Sequence, residues 1–202
     1  MNDDPIRAAY EEWTKGRDAV AARIALFERV RDLAYEYPAS RDPVEVLQHK
    51  RGSCSGKHYL LGALFRRQGL PVRHMLCTHR FNDSPLPFPG HMQDLLRKNE
   101  ILDVHDYLQI SVDGEWIDVD ATWPLGLRDF GLPATDDWDG KSPMVLSVIP
   151  DEQIEVQQND PAKTQEEQLS KLTPRQRMLR KQFLEALSAW VGELQAEITR
   201  DE

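Results

Sequence analysis

An α+β domain built around an antiparallel sheet is what the sequence predicts. Helical periodicity marks both ends of the chain, short β-prone runs occupy its middle, and an Asp-Gly pair joins two of those runs. The expected architecture has a helical N-terminal layer, a cysteine-bearing helix packed on the sheet, and a further C-terminal helix.

Residues 5–37 read as helical, with Ala19, Val20, Ile24, Phe27, Val30, Leu33 and Ala34 recurring near a 3.6-residue period. Pro38 ends this region, because proline lacks the amide donor and clashes in a helix interior. Asp42-Pro43 then opens a helical turn through Leu47. The small, polar run Arg51-Gly52-Ser53-Cys54-Ser55-Gly56 leads into Lys57–Gln68, which is apolar on most faces and reads as a buried helix stopped by Gly69 and Pro71. Val72–Thr78 reads as a strand. Residues 79–100 are broken by Pro85, Pro87, Pro89 and Gly90, with a short helix over Met92–Lys98; a loop of this length is expected to shape a substrate cleft. Val104–Val112 and Glu115–Asp120 form a hairpin about the two-residue signal Asp113-Gly114, and Met144–Ile149 is a further strand. Residues 151–173 are polar and aperiodic, so they read as a linker between a domain over 1–150 and a C-terminal amphipathic helix over 174–202. That helix carries the stripe Leu179, Phe183, Leu187, Trp190, Val191, Leu194 and Ile198, which suits packing on its own domain or a homodimer through 174–199.

Composition narrows the function classes. With 25 basic and 34 acidic residues the net charge is -9, which argues against nucleic acid and anionic membrane as partners, because phosphates are met by Lys and Arg. No stretch approaches the roughly 20 apolar residues that span a bilayer. The opening MNDDPIRAAYEEW lacks the basic start and apolar run of a secretory signal. Two cysteines, Cys54 and Cys77, outside any Cys-x-x-Cys pair, favour a reducing, cytoplasmic setting over a disulfide scaffold or a structural zinc site. The spacings of His74, His79 and His91 fit no compact metal-ligand pattern.

One constellation carries chemistry. Cys54 opens a helix, where free amide donors and the positive end of the dipole favour a thiolate and an oxyanion. A nucleophilic thiol needs a base, and the base needs an orienting group. Folding about Asp113-Gly114 sets residue 105 opposite residue 122, so Asp120 falls within one cross-strand diagonal of His105. Sequence spacing therefore pairs the imidazole with a carboxylate; only tertiary structure brings Cys54 to them. His58, one turn beyond Cys54, reads as a packed polar residue, and Cys77, on an apolar strand, as core.

These segments resemble the transglutaminase-like superfamily. Gly52-Ser53-Cys54, the leucine-rich run through Arg66, and Gly69-Leu70-Pro71-Val72-Arg73 are similar to its Gly-x-Cys helix and following Gly-Ile-Pro-Ala-Arg. His105–Val112 followed by Asp113–Trp123 resembles its His-strand-turn-Trp-strand-Asp-Pro-Thr block, and the resemblance covers roughly residues 40–125. It implies a papain-like fold, with Cys54 as nucleophile, His105 as base and Asp120 as its orienter, and no metal or organic cofactor. Gln48 lies six residues before the cysteine, the offset at which papain-like proteases carry an oxyanion-hole glutamine. Asp106-Tyr107 stands where the family often has Ala-Trp, and Ala121 replaces a proline. The implied reaction is acyl transfer or hydrolysis on an amide or ester through a thioester, with a peptide, protein or small acyl donor and water or an amine as acceptor. Alternatives are a cysteine peptidase or amidase, an arylamine N-acetyltransferase-like enzyme, and a non-catalytic binding module on the same fold. The single Gly52 fits the acetyltransferase's Arg-Gly-Gly-x-Cys run less well.

Overall fold

A computed structural model describes residues 4–156 and 160–201. The N-terminal layer is two helices, not one: α1 (Pro5–Thr14) and α2 (Ala19–Arg31). Between them Gly16 adopts a φ of 73°, and the Asp18 side chain accepts hydrogen bonds from the amides of Val20 and Ala21, starting the second helix afresh. The chain then enters a two-residue strand β1 (Ala34–Tyr35), which pairs in parallel with β2 (Arg51–Gly52). Between these strands α3 (Pro43–His49) starts as its sequence predicts, capped by Asp42 with proline in the first turn.

Helix α4 (Cys54–Arg67) lies at the centre of the molecule. Leu60, Leu61, Leu64 and Phe65 are fully buried against α1, α2 and one face of the sheet. Gly56 allows α4 to come close to the segment before α3: a methyl there would collide with the Ser40 carbonyl oxygen. That glycine admits the chain's own backbone.

The sheet is antiparallel throughout, in the order β5-β4-β3-β6, with β3 (Val72–Arg80), β4 (Leu102–Val112), β5 (Glu115–Val119) and β6 (Pro150–Glu155). Asp113 and Gly114 both take positive φ (53° and 91°), the conformation of a two-residue hairpin turn whose twist matches its strands. The resulting register pairs Leu108 with Val119 and Val112 with Glu115.

Three expectations are corrected. Met144–Ile149 is irregular, with a bend at Ser147–Val148, and is not a strand; the fourth strand is β6, five of whose six residues are solvent-exposed, so burial imposed no apolar alternation on its sequence. The polar stretch expected as a linker over 151–173 contains most of β6 and a helix, α6 (Pro161–Ser170), while residues 157–159 lie outside the described residues. The loop over 79–100 is folded into a 3-10 turn (Phe81–Asp83) and α5 (Gly90–Lys98), and Phe81, Phe88 and Met92 pack into a second core under α7 (Pro174–Asp201). That core takes in Leu179, Phe183, Leu187 and Val191 of the C-terminal stripe, with Tyr35, Trp123 and Leu127. The stripe is therefore spent within this chain. Among the described residues no helix is long and apolar enough to cross a membrane.

Lys57, fully buried on α4, joins three parts of the fold. Its ammonium donates to the carbonyls of Arg31 (2.7 Å), Leu33 (3.1 Å) and Thr122 (2.8 Å). Burial pushes the amine down to about 7, but only the ammonium form has three hydrogens for three acceptors. Lys57→Met keeps the length of the side chain and leaves those carbonyls without their donor. We expect a loss on the order of 3 kcal/mol in urea unfolding at neutral pH; an unchanged midpoint would show that water replaces the amine there.

Candidate active site

The three residues predicted to act together come from three elements. Cys54 is the first residue of α4; the Ser53 side chain makes no capping hydrogen bond, so the first amides of the helix keep their donors. His105 lies in the half of β4 that extends beyond its pairing with β5, and Asp120 directly follows β5. His105 Nε2 is 2.8 Å from Asp120 Oδ2, as the hairpin register requires. This leaves Nδ1 for the sulfur. The Cys54 thiol lies near enough to the ring to favour its protonated form.

Asp120 is held by more than the histidine. The Thr122 amide (3.0 Å) and hydroxyl (2.6 Å) both donate to Oδ1, and the Ser147 amide donates to Oδ2 at 2.8 Å. Burial alone would favour the neutral acid, but His105, His58 and Thr122 outweigh it and keep the carboxyl well below the usual carboxylate range. Burial likewise opposes charge on His105, yet Asp120 and Cys54 hold its pKa well above the ordinary imidazole value.

Two further imidazoles flank His105, with ring centroids 6.1 Å (His58) and 6.4 Å (His79) away. His58 Nε2 accepts from the Ala121 amide at 2.8 Å, so its proton is on Nδ1, which donates to the Cys54 carbonyl at 2.7 Å. Burial lowers both flanking rings to about 4 and keeps them neutral at physiological pH. Of the three, His105 is the one whose surroundings favour a proton. His58 is thus more than packing: it ties the Cys54 turn to the strand end beside Asp120. Cys77 is core as expected, its thiol pushed up to about 11 by burial.

A cleft of ≈ 330 Å³ opens beside Cys54, lined by Tyr35, Tyr37, Arg41, Gln165, Arg180 and Leu184. It contains no residue of 79–100; that segment's aromatic side chains are committed to the α7 core. Gln48 is exposed on α3 and does not line the cleft, because the face of α3 turned to the core is that of Val46. Asp120-Ala121-Thr122 carries a local signal that sequence reasoning could have used, a carboxylate accepting from the amide two residues on. Ser147 and Gln165 have no such signal, since their roles depend on distant chain returning to the site.

Residues 8–121 match the family model described as the transglutaminase-like superfamily, more than half of the chain, and the protein belongs to that superfamily. The match reaches back into α1, so it takes in N-terminal helices that the motif resemblance left out. Among solved structures the chain is similar to a candidate cysteine protease from Cytophaga hutchinsonii, at 20% identity and a TM-score of 0.44, over 61% of this chain and 38% of that one. It is also similar to a TGase, at 16% identity and a TM-score of 0.44, over 71% of this chain and 39% of that one. The chain thus spans less than two-fifths of either neighbour. No curated protein matches it.

The buried titratable groups set a pH dependence of stability. His58 and His79 (each about 4) and His74 (about 3) have folded pKa values below the ordinary 6.5, so each takes up a proton on unfolding. Their contribution is present above 6.5 and is lost as pH falls toward 4. Asp106 works the other way: burial raises it to about 6, so the fold holds a proton there that the unfolded chain releases. Three protons taken up against one released give a net of two, or roughly 3 kcal/mol of stability lost per pH unit near pH 5. Urea unfolding followed from neutral pH downward should show this slope; a flat profile across that range would contradict neutral burial of the histidines.

Proposed function

We propose that this protein is a cysteine-nucleophile acyltransferase or hydrolase acting on an amide or ester through a thioester on Cys54. The observation that carries this reading is the hydrogen-bonded His105–Asp120 pair set beside a cysteine at an uncapped helix N-terminus. The Cys54 sulfur, its proton held by His105, attacks the acyl carbonyl and forms a carbon–sulfur bond. Negative charge on the carbonyl oxygen meets the free amides at the start of α4. His105 then gives its proton to the departing amine or alcohol as the old bond breaks. Water or a second amine, losing a proton to His105, attacks the thioester and restores the thiol. Asp120 keeps the ring oriented and balances its charge throughout. The dimensions of the cleft suit a small amide or ester, or one side chain or terminus of a peptide or protein.

The test uses a chromogenic ester, p-nitrophenyl acetate, and mass spectrometry of the intact protein. A burst of nitrophenol with one acetyl group mapped to Cys54, absent in Cys54→Ala, is the expected result. His105→Ala should slow acylation by about a hundredfold or more. Added methylamine that speeds turnover and yields N-methylacetamide identifies a transferase; acetate alone identifies a hydrolase. Acetylation that is absent from Cys54, or that survives Cys54→Ala unchanged, overturns the proposal.

A further inference from the structure

A second buried carboxylate adjoins this site, and the triad does not use it. Asp106 follows His105 on β4 and is buried, on the α4-facing side of the strand with Leu108 and Ile110. Its Oδ2 accepts from the Ser55 hydroxyl at 2.6 Å and from Gln165 Nε2 at 2.9 Å. Ser55 is the residue after Cys54. The Ser55–Asp106 bond therefore joins the peptide that carries the thiol to the peptide that carries the imidazole, across an otherwise purely tertiary junction. Gln165, buried on α6, also accepts from Arg41, and both residues line the cleft, so Asp106 is linked to its lining.

Isolated burial of a carboxylate is costly, and Asp106 carries that cost at neutral pH with two donors and no ion-pair partner within 4 Å among the described residues. The groups around it are His105 and Asp103 on its own strand, Ser55 and Tyr59 on α4, Cys77 on β3, Gln165 on α6, and Arg41 ahead of α3. An apolar or amide side chain would serve packing without the charge.

We infer that Asp106 is a positioning residue: through Ser55 it sets the Cys54 sulfur against His105, and through Gln165 it makes α6 an integral wall of the acyl-donor cleft. The inference rests on the function proposed above. It assigns distinct roles to the two bonds, with Ser55 governing the reactivity of the thiol and Gln165 governing binding of the donor.

The experiment measures the rate of Cys54 alkylation by iodoacetamide, across pH and by mass spectrometry, in the full chain and in Asp106→Asn, Ser55→Ala, the double variant and Gln165→Ala. Asp106→Asn should slow alkylation severalfold and Ser55→Ala about tenfold at neutral pH, and the double variant should be no slower than Ser55→Ala, because both act on the same tie: the amide replaces a charged acceptor with a neutral one, and alanine removes the donor. The wild-type profile should carry a step near pH 6 that Asp106→Asn lacks, since the carboxyl titrates at about 6. Removing a buried charge that is unfavourable above that pH should leave the urea midpoint at neutral pH unlowered, which separates positioning from loss of fold. Gln165→Ala should raise KM for the ester more than it lowers kcat. Additive single effects, or alkylation at the wild-type rate in both Ser55→Ala and Asp106→Asn, overturn the inference while leaving the proposed function intact. Cys54 that alkylates no faster than glutathione in the wild-type protein overturns both.

Discussion

A carboxylate can stay ionised inside a protein only if its lone pairs are met by donors that the fold cannot easily withdraw. Asp120 meets that condition with four: one from His105, two from Thr122 and one from the Ser147 amide. Those donors tie together strand β4, the turn after β5 and the segment that carries Ser147. His58 bridges the Ala121 amide and the Cys54 carbonyl, so the same constraint reaches the start of α4. Lys57, three residues beyond the cysteine, holds the Thr122 carbonyl from below. The charge on Asp120, the orientation of His105 and the placement of the thiol thus belong to one hydrogen-bonded assembly.

The surroundings of His105 also separate it from its neighbours. Three imidazoles lie within one cluster, and burial drives the outer two toward the neutral form. The carboxylate reaches His105 directly at 2.8 Å, whereas the contacts of His58 with Asp120 (3.5 Å) and of His79 with Asp103 (3.9 Å) are longer. The hydrogen bond to Asp120 and the nearby Cys54 favour charge on His105, whereas Nε2 of His58 is already occupied by the Ala121 amide.

Much of this site could be read from the sequence because it depends on local rules. The Asp113-Gly114 turn sets the register that brings His105 to Asp120, and the small residues before a leucine-rich run place Cys54 at a helix start. The break between α1 and α2 was also encoded locally, by Gly16 and the capping Asp18, but the apolar periodicity masked it. Strand β6 and helix α6 could not be read in this way. Their exposed residues face no core, so no periodicity records them, and what fixes α6 against the cleft is one polar side chain, Gln165. The proline-rich stretch before β4 shows the opposite failure. It reads as a loop shaping the substrate cleft, whereas Phe81, Phe88 and Met92 make it part of the core beneath α7.

Strand β6 closes one side of the sheet and leaves its outer backbone groups without a β partner among the described residues. An unpaired edge is a template for the strand of another molecule. Here it begins with Pro150, which lacks an amide donor, and it carries Asp151, Glu152 and Glu155 within six residues. A second copy of the same edge would bring like charges to strand separation, about 4.8 Å. The acidic residues of this edge oppose fibre-like stacking of one copy on another.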